Sequence, residues 1–228
     1  MLVGERGQSA FLPSQCVGIL MTKSVQLLSL VSGFLLGATV PVDRPSSFIG
    51  DFQVARNISH SLAVVSTLWS LREEATSPAK KRYLQKPMII LNVAIIEALL
   101  YDFHKRVKWF TREGVMGMPA NIVTYIRGKQ IDKLEALIAS CRKHDLFDEP
   151  GSTFYEDLDI LRRIRNRVHL QNEKHDLEPD DAIAFSAERL VLSERAVEFV
   201  MLTLEAKYPR SVNVYTPPFH LPWPTYFE

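Results

Sequence analysis

Apolar residues recur at three- and four-residue steps along most of the chain, a spacing that predicts amphipathic helices. The main predicted helices cover residues 52–75, 80–106, 130–146, 152–174 and 180–207, with a short one at Asn121–Arg127. No convincing run of alternating apolar and polar residues predicts a strand, and no segment repeats. The pattern therefore predicts an all-α protein, a bundle of four to five main helices.

The segment 80–106 differs from the others because its centre, from Pro87 to Phe103, is apolar nearly all round. Such a pattern predicts a buried helix at the centre of the bundle. Glu97 interrupts the apolar surface, which makes the segment a poor membrane span. We therefore expect no membrane association. Glu97 lies either at the exposed rim of the bundle or opposite an arginine.

The segment Gly151–Lys174 predicts one amphipathic helix. Ser152 or Thr153 is placed as the N-cap, and acidic residues follow early, where the helix macrodipole favours negative charge. On a wheel of about 100° per residue, one arc is apolar. Its members are Phe154, Leu158, Leu161, Ile164 and Val168.

Arg165 falls inside this apolar arc, and Arg162 and His169 lie at its edge, with Asn166 next. An arginine is almost never fully buried without a partner. One interpretation is structural: Arg165 pairs with a core carboxylate, and His169 is an ordinary histidine at the edge of the core. Glu97 is the first choice for that carboxylate and Asp102 the second. The pattern alone favours this interpretation. The other is that the face meets a polar cleft or a second subunit and binds phosphate, since arginine supplies a permanent forked charge.

The remaining arginines of the segment, Arg163 and Arg167, point away from the apolar arc. Glu156 and Asp159 stand at helical spacing from them. We therefore predict a solvated face in which these carboxylates hold the two arginines.

The sequence LRRIRNRVHLQN, residues 161–172, resembles the signature of the HEPN superfamily, small all-α domains of prokaryotic defence and toxin systems. The signature is an arginine, usually followed by a polar residue such as asparagine, with a histidine a short step later on the same helix. Arg165, Asn166 and His169 occupy those positions. The order of helices across residues 80–207 is also similar. The resemblance implies an HEPN-like bundle and metal-independent RNA cleavage by a dimer with a shared cleft.

Two features depart from the family pattern. Three residues separate Arg165 from His169, whereas the family places four to six; counting from Arg163 gives five, but the wheel puts Arg163 about 120° from His169. Gln171 stands where members paired with a nucleotidyltransferase antitoxin carry tyrosine. The alternative to a nuclease is a non-catalytic HEPN-like module that binds RNA, nucleotide or a protein partner.

The resemblance assigns roles to four residues. His169 is the general base or acid, and Arg165 stabilises charge on the phosphate. Asn166 orients His169 or the phosphate, and Arg162 holds a flanking phosphate. RNA, a second copy of the chain and an antitoxin protein are the expected partners. No cofactor and no metal are expected, because Cys141 and His144, with His169 and His175, lack a convincing second half of a zinc site.

Composition adds limits rather than a function. Apolar residues make up 46% of the 228 residues and charged residues 23%, with a formal net charge of +1, so any basic nucleic-acid footprint must be local. The two cysteines, Cys16 and Cys141, make no disulfide framework and suit a reducing cytoplasm. A secreted location is the alternative, because Met21–Val40 imitates a signal peptide. Two other interpretations of this stretch are an extra packed helix and an artefact of an upstream start codon.

The chain divides into three parts on these patterns. Residues 1–50 form an N-terminal extension, residues 51–208 the helical domain, and residues 209–228 a tail rich in proline and aromatic residues. Proline excludes a helix in the tail. The tail is disordered or lies as an extended arm; docking on the parent domain or on a partner is favoured over base stacking.

Overall fold

The computed structural model describes residues 41–109, 115, 117–147, 153–168, 180–210 and 217–227. The three interpretations of Met21–Val40 lie outside the described residues. The helices are α1 (Phe52–Glu74), α2 (Pro78–Trp109), α3 (Ala120–Arg127), α4 (Leu134–Lys143), α5 (Phe154–Asn166), α6 (Asp181–Ala184) and α7 (Ala187–Lys207). Two short strands complete the fold, β1 (Val42–Arg44) and β2 (Phe219–Leu221). The predicted all-α class is confirmed.

Helix α2 lies at the centre of the bundle, as predicted. Helices α1 and α7 make its largest contacts, and α3, α4 and α5 also pack on it. Its buried apolar residues include Met88, Ile89, Val93, Ile96, Leu99 and Leu100. The helix is long and apolar enough to cross a bilayer, but half of its most apolar stretch is buried inside the protein. Central helices of soluble folds share these properties, so length and composition alone do not indicate a membrane span.

The turn before α1 is built around two aspartates. Asp51 caps α1 by accepting a hydrogen bond from the Gln53 N–H at 2.9 Å. The Asp102 carboxylate accepts from the N–H groups of Gly50 at 2.8 Å and Asp51 at 2.9 Å. A Cβ on Gly50 would lie 2.6 Å from Cγ of Arg106, so glycine is required for this close approach. Asp102, our second choice as partner of Arg165, therefore serves this turn instead.

The predicted final helix is divided in two. Asp180 caps α6 by accepting hydrogen bonds from the Ala182 and Ile183 N–H groups. Ser186 then caps α7 by accepting from the Arg189 N–H at 3.4 Å. A serine at an N-cap bonds the backbone in a non-helical conformation, which breaks the apolar periodicity that predicted one helix. Ile183, predicted on the apolar face, is exposed as a result.

Helix α4 is also shorter than the predicted helix over residues 130–146. Its apolar face is as expected, with Leu134, Leu137, Ile138 and Cys141 buried. The short predicted helix before it is confirmed as α3, which ends at Arg127 with Gly128 as its C-cap.

Strands β1 and β2 join the two ends of the described chain. They pair antiparallel, with Val42 opposite Leu221 and Arg44 opposite Phe219. Three residues are too few to show the alternation that predicts a strand, so the sequence analysis missed both. The pairing joins a segment of the predicted N-terminal extension to a segment of the predicted tail.

The described part of the tail docks on its own domain, one of the outcomes favoured from the sequence. Trp223 is fully buried, and its ring centroid lies 6.5 Å from that of Trp69 on α1. The buried carboxylate of Glu198 on α7 binds the Arg44 guanidinium and accepts from the Tyr226 N–H at 2.9 Å. One carboxylate thus connects β1, the tail and α7.

Candidate functional site

Helix α5 carries the predicted motif arginine, and its first half matches the sequence analysis. The helix begins at Phe154 with Thr153 as N-cap, and Glu156 and Asp157 occupy its first turn. The Thr153 hydroxyl donates to the Asp157 carboxylate at 2.9 Å instead of capping the backbone. The buried arc consists of Phe154, Leu158, Leu161 and Ile164. The predicted amphipathic face is therefore correct over these three turns.

The second half of the predicted helix is wrong where the structure describes it. Helix α5 ends at Asn166, and Arg167 and Val168 form a turn in which their N–H groups donate to Ile164 and Arg165. Val168, predicted in the buried arc, is 48% exposed. His169, and the rest of the predicted helix to Lys174, lie outside the described residues. A common helical face for Arg165 and His169 therefore no longer follows from one continuous helix.

Arg165 lies at the rim between α5 and α2. Its Nη2 donates to Glu97 Oε2 at 2.9 Å, so the first-choice carboxylate is confirmed as its partner. The Arg165 side chain is 37% exposed and that of Glu97 26%. The guanidinium is therefore paired at a solvent-accessible edge rather than sealed in the core.

The two neighbours assigned to the site stand in different surroundings. The Asn166 side chain is exposed at the last residue of α5 and forms no hydrogen bond with the described residues. Arg162 lies 3.4 Å from carboxylate oxygens of both Glu135 and Asp159. Arg162 thus lies next to carboxylates of both α4 and α5, whereas the Asn166 side chain is open to solvent.

The predicted partners of the two outward arginines are wrong. Arg163 Nε donates to the backbone oxygen of Asp159 at 3.3 Å, and the Asp159 carboxylate is bound by Arg142 at 2.5 Å. Arg167 pairs with Asp181 of α6 at 3.2 Å, because the turn after α5 redirects its side chain. The helical wheel could not show this, since the spacing argument assumed that the helix continues.

Asp181 brings three distant segments together beside the end of α5. It binds Arg167 and also Lys86 of α2, whose Nζ lies 2.5 Å from the carboxylate. These contacts, chiefly the hydrogen bond from Lys86, lower the pKa of Asp181. A cavity of about 350 Å³ opens next to this cluster, lined by Arg82, Tyr83, Lys86, Asp181, Ala182 and Phe185.

This cavity has no signature in the local sequence. Its lining comes from residues almost one hundred positions apart, so no local pattern could place them together. The one available signal was the run Lys80-Lys81-Arg82-Tyr83, three cations beside an aromatic residue in a chain of nearly neutral charge.

No protein-family model, curated protein or solved structure matches this chain. In the structure, Arg165, Asn166, Arg167 and Asp181 lie together at one end of α5.

The four residues considered as zinc ligands are Cys141, His144, His169 and His175. Cys141 is buried, and burial raises the pKa of its thiol, which keeps it protonated. The His144 ring packs edge-on against Tyr125, 4.7 Å between centroids. His169 and His175 lie outside the described residues. Across the described ranges, no group of three or more histidine, cysteine or acidic residues is arranged to hold a metal ion.

Proposed function

We propose that the chain is a metal-independent endoribonuclease of the HEPN type, acting in a toxin or defence system. One observation carries the proposal: Arg165 of the motif presents a partly exposed guanidinium at the rim of the bundle, directly before the exposed Asn166. Among the described residues, Glu97 is its ion-pair partner, and this contact uses Nη2. An arginine has five N–H donors, so others remain for a phosphate group.

The proposed reaction uses the RNA itself as nucleophile. The ribose 2′-oxygen attacks the adjacent phosphorus while its proton passes to a histidine acting as general base. The bond from phosphorus to the 5′-oxygen breaks, and that oxygen takes a proton from a general acid. The products are a 2′,3′-cyclic phosphate and a 5′-hydroxyl.

Residue roles follow from these steps. His169 is the proton carrier, with the copies from two subunits supplying base and acid. Arg165 stabilises the negative charge that develops on the phosphate oxygens, and preorganised donors of this kind are among the largest contributors to catalysis. Asn166 orients the phosphate or His169, and Arg162 holds a flanking phosphate. We include an antitoxin protein and a cytoplasmic location in the proposal.

The dimer in this proposal is symmetric, with the end of α5 near its two-fold axis. A two-fold interface places the same surface of both subunits together. An arginine at the rim, rather than in the core, can then contribute to a cleft shared by two copies.

The test is cleavage of single-stranded RNA in the presence of EDTA by the wild-type chain and three variants. His169→Ala removes the proton carrier and should lower the rate by about 10²–10⁴-fold. Arg165→Ala should cause a comparable loss. Arg163→Ala is the matched control, since Arg163 lies on the same helix but points away, and its rate should be unchanged. Loss of activity in Arg163→Ala with full activity in Arg165→Ala would contradict the assignment.

The second candidate is a non-catalytic HEPN-like module that binds RNA, nucleotide or a protein partner. Two observations favour it: α5 ends three residues before His169, and a carboxylate already occupies one side of Arg165. RNA binding by the wild-type chain without any cleavage, with or without divalent metal, would select this candidate.

A further inference from the structure

The first turns of α2 concentrate positive charge at an unusual place. Lys80, Lys81, Arg82 and Lys86 lie within its first nine residues, and no acidic residue occupies the first turn. The N-terminus of a helix is the positive end of its macrodipole, so cations there are unfavourable. The whole chain has a net charge of only +1. This cluster is therefore a local basic surface.

Among the described residues, the carboxylates of α6 neutralise only Lys86 of this cluster. Asp181 is already bonded to Lys86 at 2.5 Å and Arg167 at 3.2 Å. The side chain of Asp180 accepts the hydrogen bonds that cap α6. Lys80, Lys81 and Arg82 form no ion pair with any residue that the structure describes.

An exposed aromatic side chain stands among these cations. Tyr83 is 75% exposed, although it belongs to the central helix of the fold. It lines the cavity of about 350 Å³, a size at the lower end of small-molecule sites. On the cavity's other side, Phe185 packs with the Lys86 ammonium 5.0 Å from its ring centroid. The cavity thus combines a free aromatic face with surrounding positive charge.

We propose that this surface, Lys80–Tyr83 with the adjoining cavity, is a docking platform for single-stranded RNA. Tyr83 stacks on a base, and Lys80, Lys81 and Arg82 bind backbone phosphates. Stacking on aromatic residues beside a basic groove is how proteins hold single strands without reading their sequence. The ion pair from Asp181 to Arg167 connects the platform to the end of α5, so a bound strand continues toward Arg165. The inference rests on the proposed function in taking RNA as the ligand.

The platform fits a nucleic acid better than an anionic membrane. A helix that lies on a membrane presents several apolar side chains on one face beside its cations. Here Lys80, Lys81, Arg82 and Tyr83 are consecutive, and the one large exposed apolar group among them is an aromatic ring next to a cavity. A flat ring with a neighbouring cavity is suited to a base.

The test measures RNA affinity separately from cleavage. The binding protein is the full chain carrying His169→Ala, so that the probe is not consumed, and the probe is a labelled oligouridine of about ten nucleotides. Adding Tyr83→Ala should weaken binding roughly 5- to 150-fold, the usual effect of losing one stacking residue. Tyr101→Ala is the matched control, since Tyr101 is another exposed tyrosine of α2, and it should change affinity by less than about twofold.

A second variant tests the phosphate contacts. Replacing Lys80, Lys81 and Arg82 with glutamine should reduce the slope of log affinity against log salt by about 2, because each phosphate contact on a single strand contributes about 0.7. Arg56→Gln, an exposed cation on α1, should leave the slope unchanged.

The outcomes separate the platform from the nuclease proposal. Weaker binding in Tyr83→Ala, with a wild-type chain that never cleaves RNA, keeps the platform and overturns the nuclease. Cleavage by wild type, with equal affinities for the Tyr83→Ala and Tyr101→Ala variants, overturns the platform alone. Absence of RNA binding, or binding to phosphatidylserine vesicles in its place, also overturns the platform.

Discussion

The ion pair between Arg165 and Glu97 distinguishes a functional arginine from a structural one, and a double-mutant cycle measures it. The cycle compares wild type, Arg165→Ala, Glu97→Ala and the double variant. If Arg165 were a core ion-pair residue, its carboxylate would be deeply buried, and breaking the pair would cost about 3–5 kcal/mol. The structure instead leaves 37% of the Arg165 side chain and 26% of the Glu97 side chain exposed.

The expected coupling energy is therefore small. Water can hydrate either group after its partner is removed, and solvent screens the attraction between them. Pairs in such surroundings contribute about 0.2–1 kcal/mol. Truncation of the Arg165 stem also removes some packing, so Arg165→Ala should destabilise the fold by about 1 kcal/mol in total. For a chain of this size, this corresponds to a fall in Tm of about 2–4 °C.

The assay is urea unfolding of the four proteins, followed by circular dichroism at 222 nm (a wavelength that reports helix). We expect every variant to remain folded, with a coupling energy near 0.5–1 kcal/mol. A coupling above about 3 kcal/mol, or an unfolded Arg165→Ala variant, would refute the argument and make Arg165 a structural residue. A coupling of zero would mean that the pair is absent in solution.

Two further predictions concern the surface where the tail docks. Burial raises the pKa of Glu194 from 4.5 to about 7. The contribution of this group to the stability of the folded state is therefore greatest below about pH 4.5 and is lost as the pH rises through 7. Glutamine cannot ionise, so the unfolding free energy of Glu194→Gln should rise by a few kcal/mol relative to that of wild type between pH 4 and pH 8. Urea titrations at the two pH values measure both free energies. The same difference between variant and wild type at both pH values would contradict this prediction. Trp223→Ala should cost about 3–5 kcal/mol, because it removes a fully buried ring; a loss under about 1 kcal/mol would mean that the tail does not dock.

Much of the helical fold was predictable, because burial imposes a periodicity that single residues report. The all-round apolar pattern of Pro87–Phe103 predicted the central helix, and Glu97 within it predicted the partner of Arg165. The second inference follows from the cost of burying an unpaired charge.

Helix ends were less predictable, because short-range polar contacts decide them. Ser186 divides one periodic segment into α6 and α7, and a turn at Arg167 ends α5 although the apolar spacing continues to Val168. Periodicity is insensitive to such local competition for backbone hydrogen bonds.

The candidate site was only partly predictable for the same reasons. Local spacing placed Arg165 correctly on α5. Contacts that depend on tertiary structure, such as Asp181 with Lys86 and Arg167, have no signature in a single sequence. The docked tail belongs to this class as well, since β1 and β2 are separated by most of the chain.

The central claim, RNA cleavage through the 2′-hydroxyl without metal, is tested most directly by identifying the ends of the products. An RNA oligonucleotide is incubated with the wild-type chain in EDTA, and its fragments are analysed by mass spectrometry. The account predicts 2′,3′-cyclic phosphate and 5′-hydroxyl ends, and no cleavage where the 2′-hydroxyl is replaced by hydrogen, because the nucleophile is then missing. Fragments with 5′-phosphate ends, equal cleavage of the deoxy substrate, or intact RNA under all conditions would contradict it.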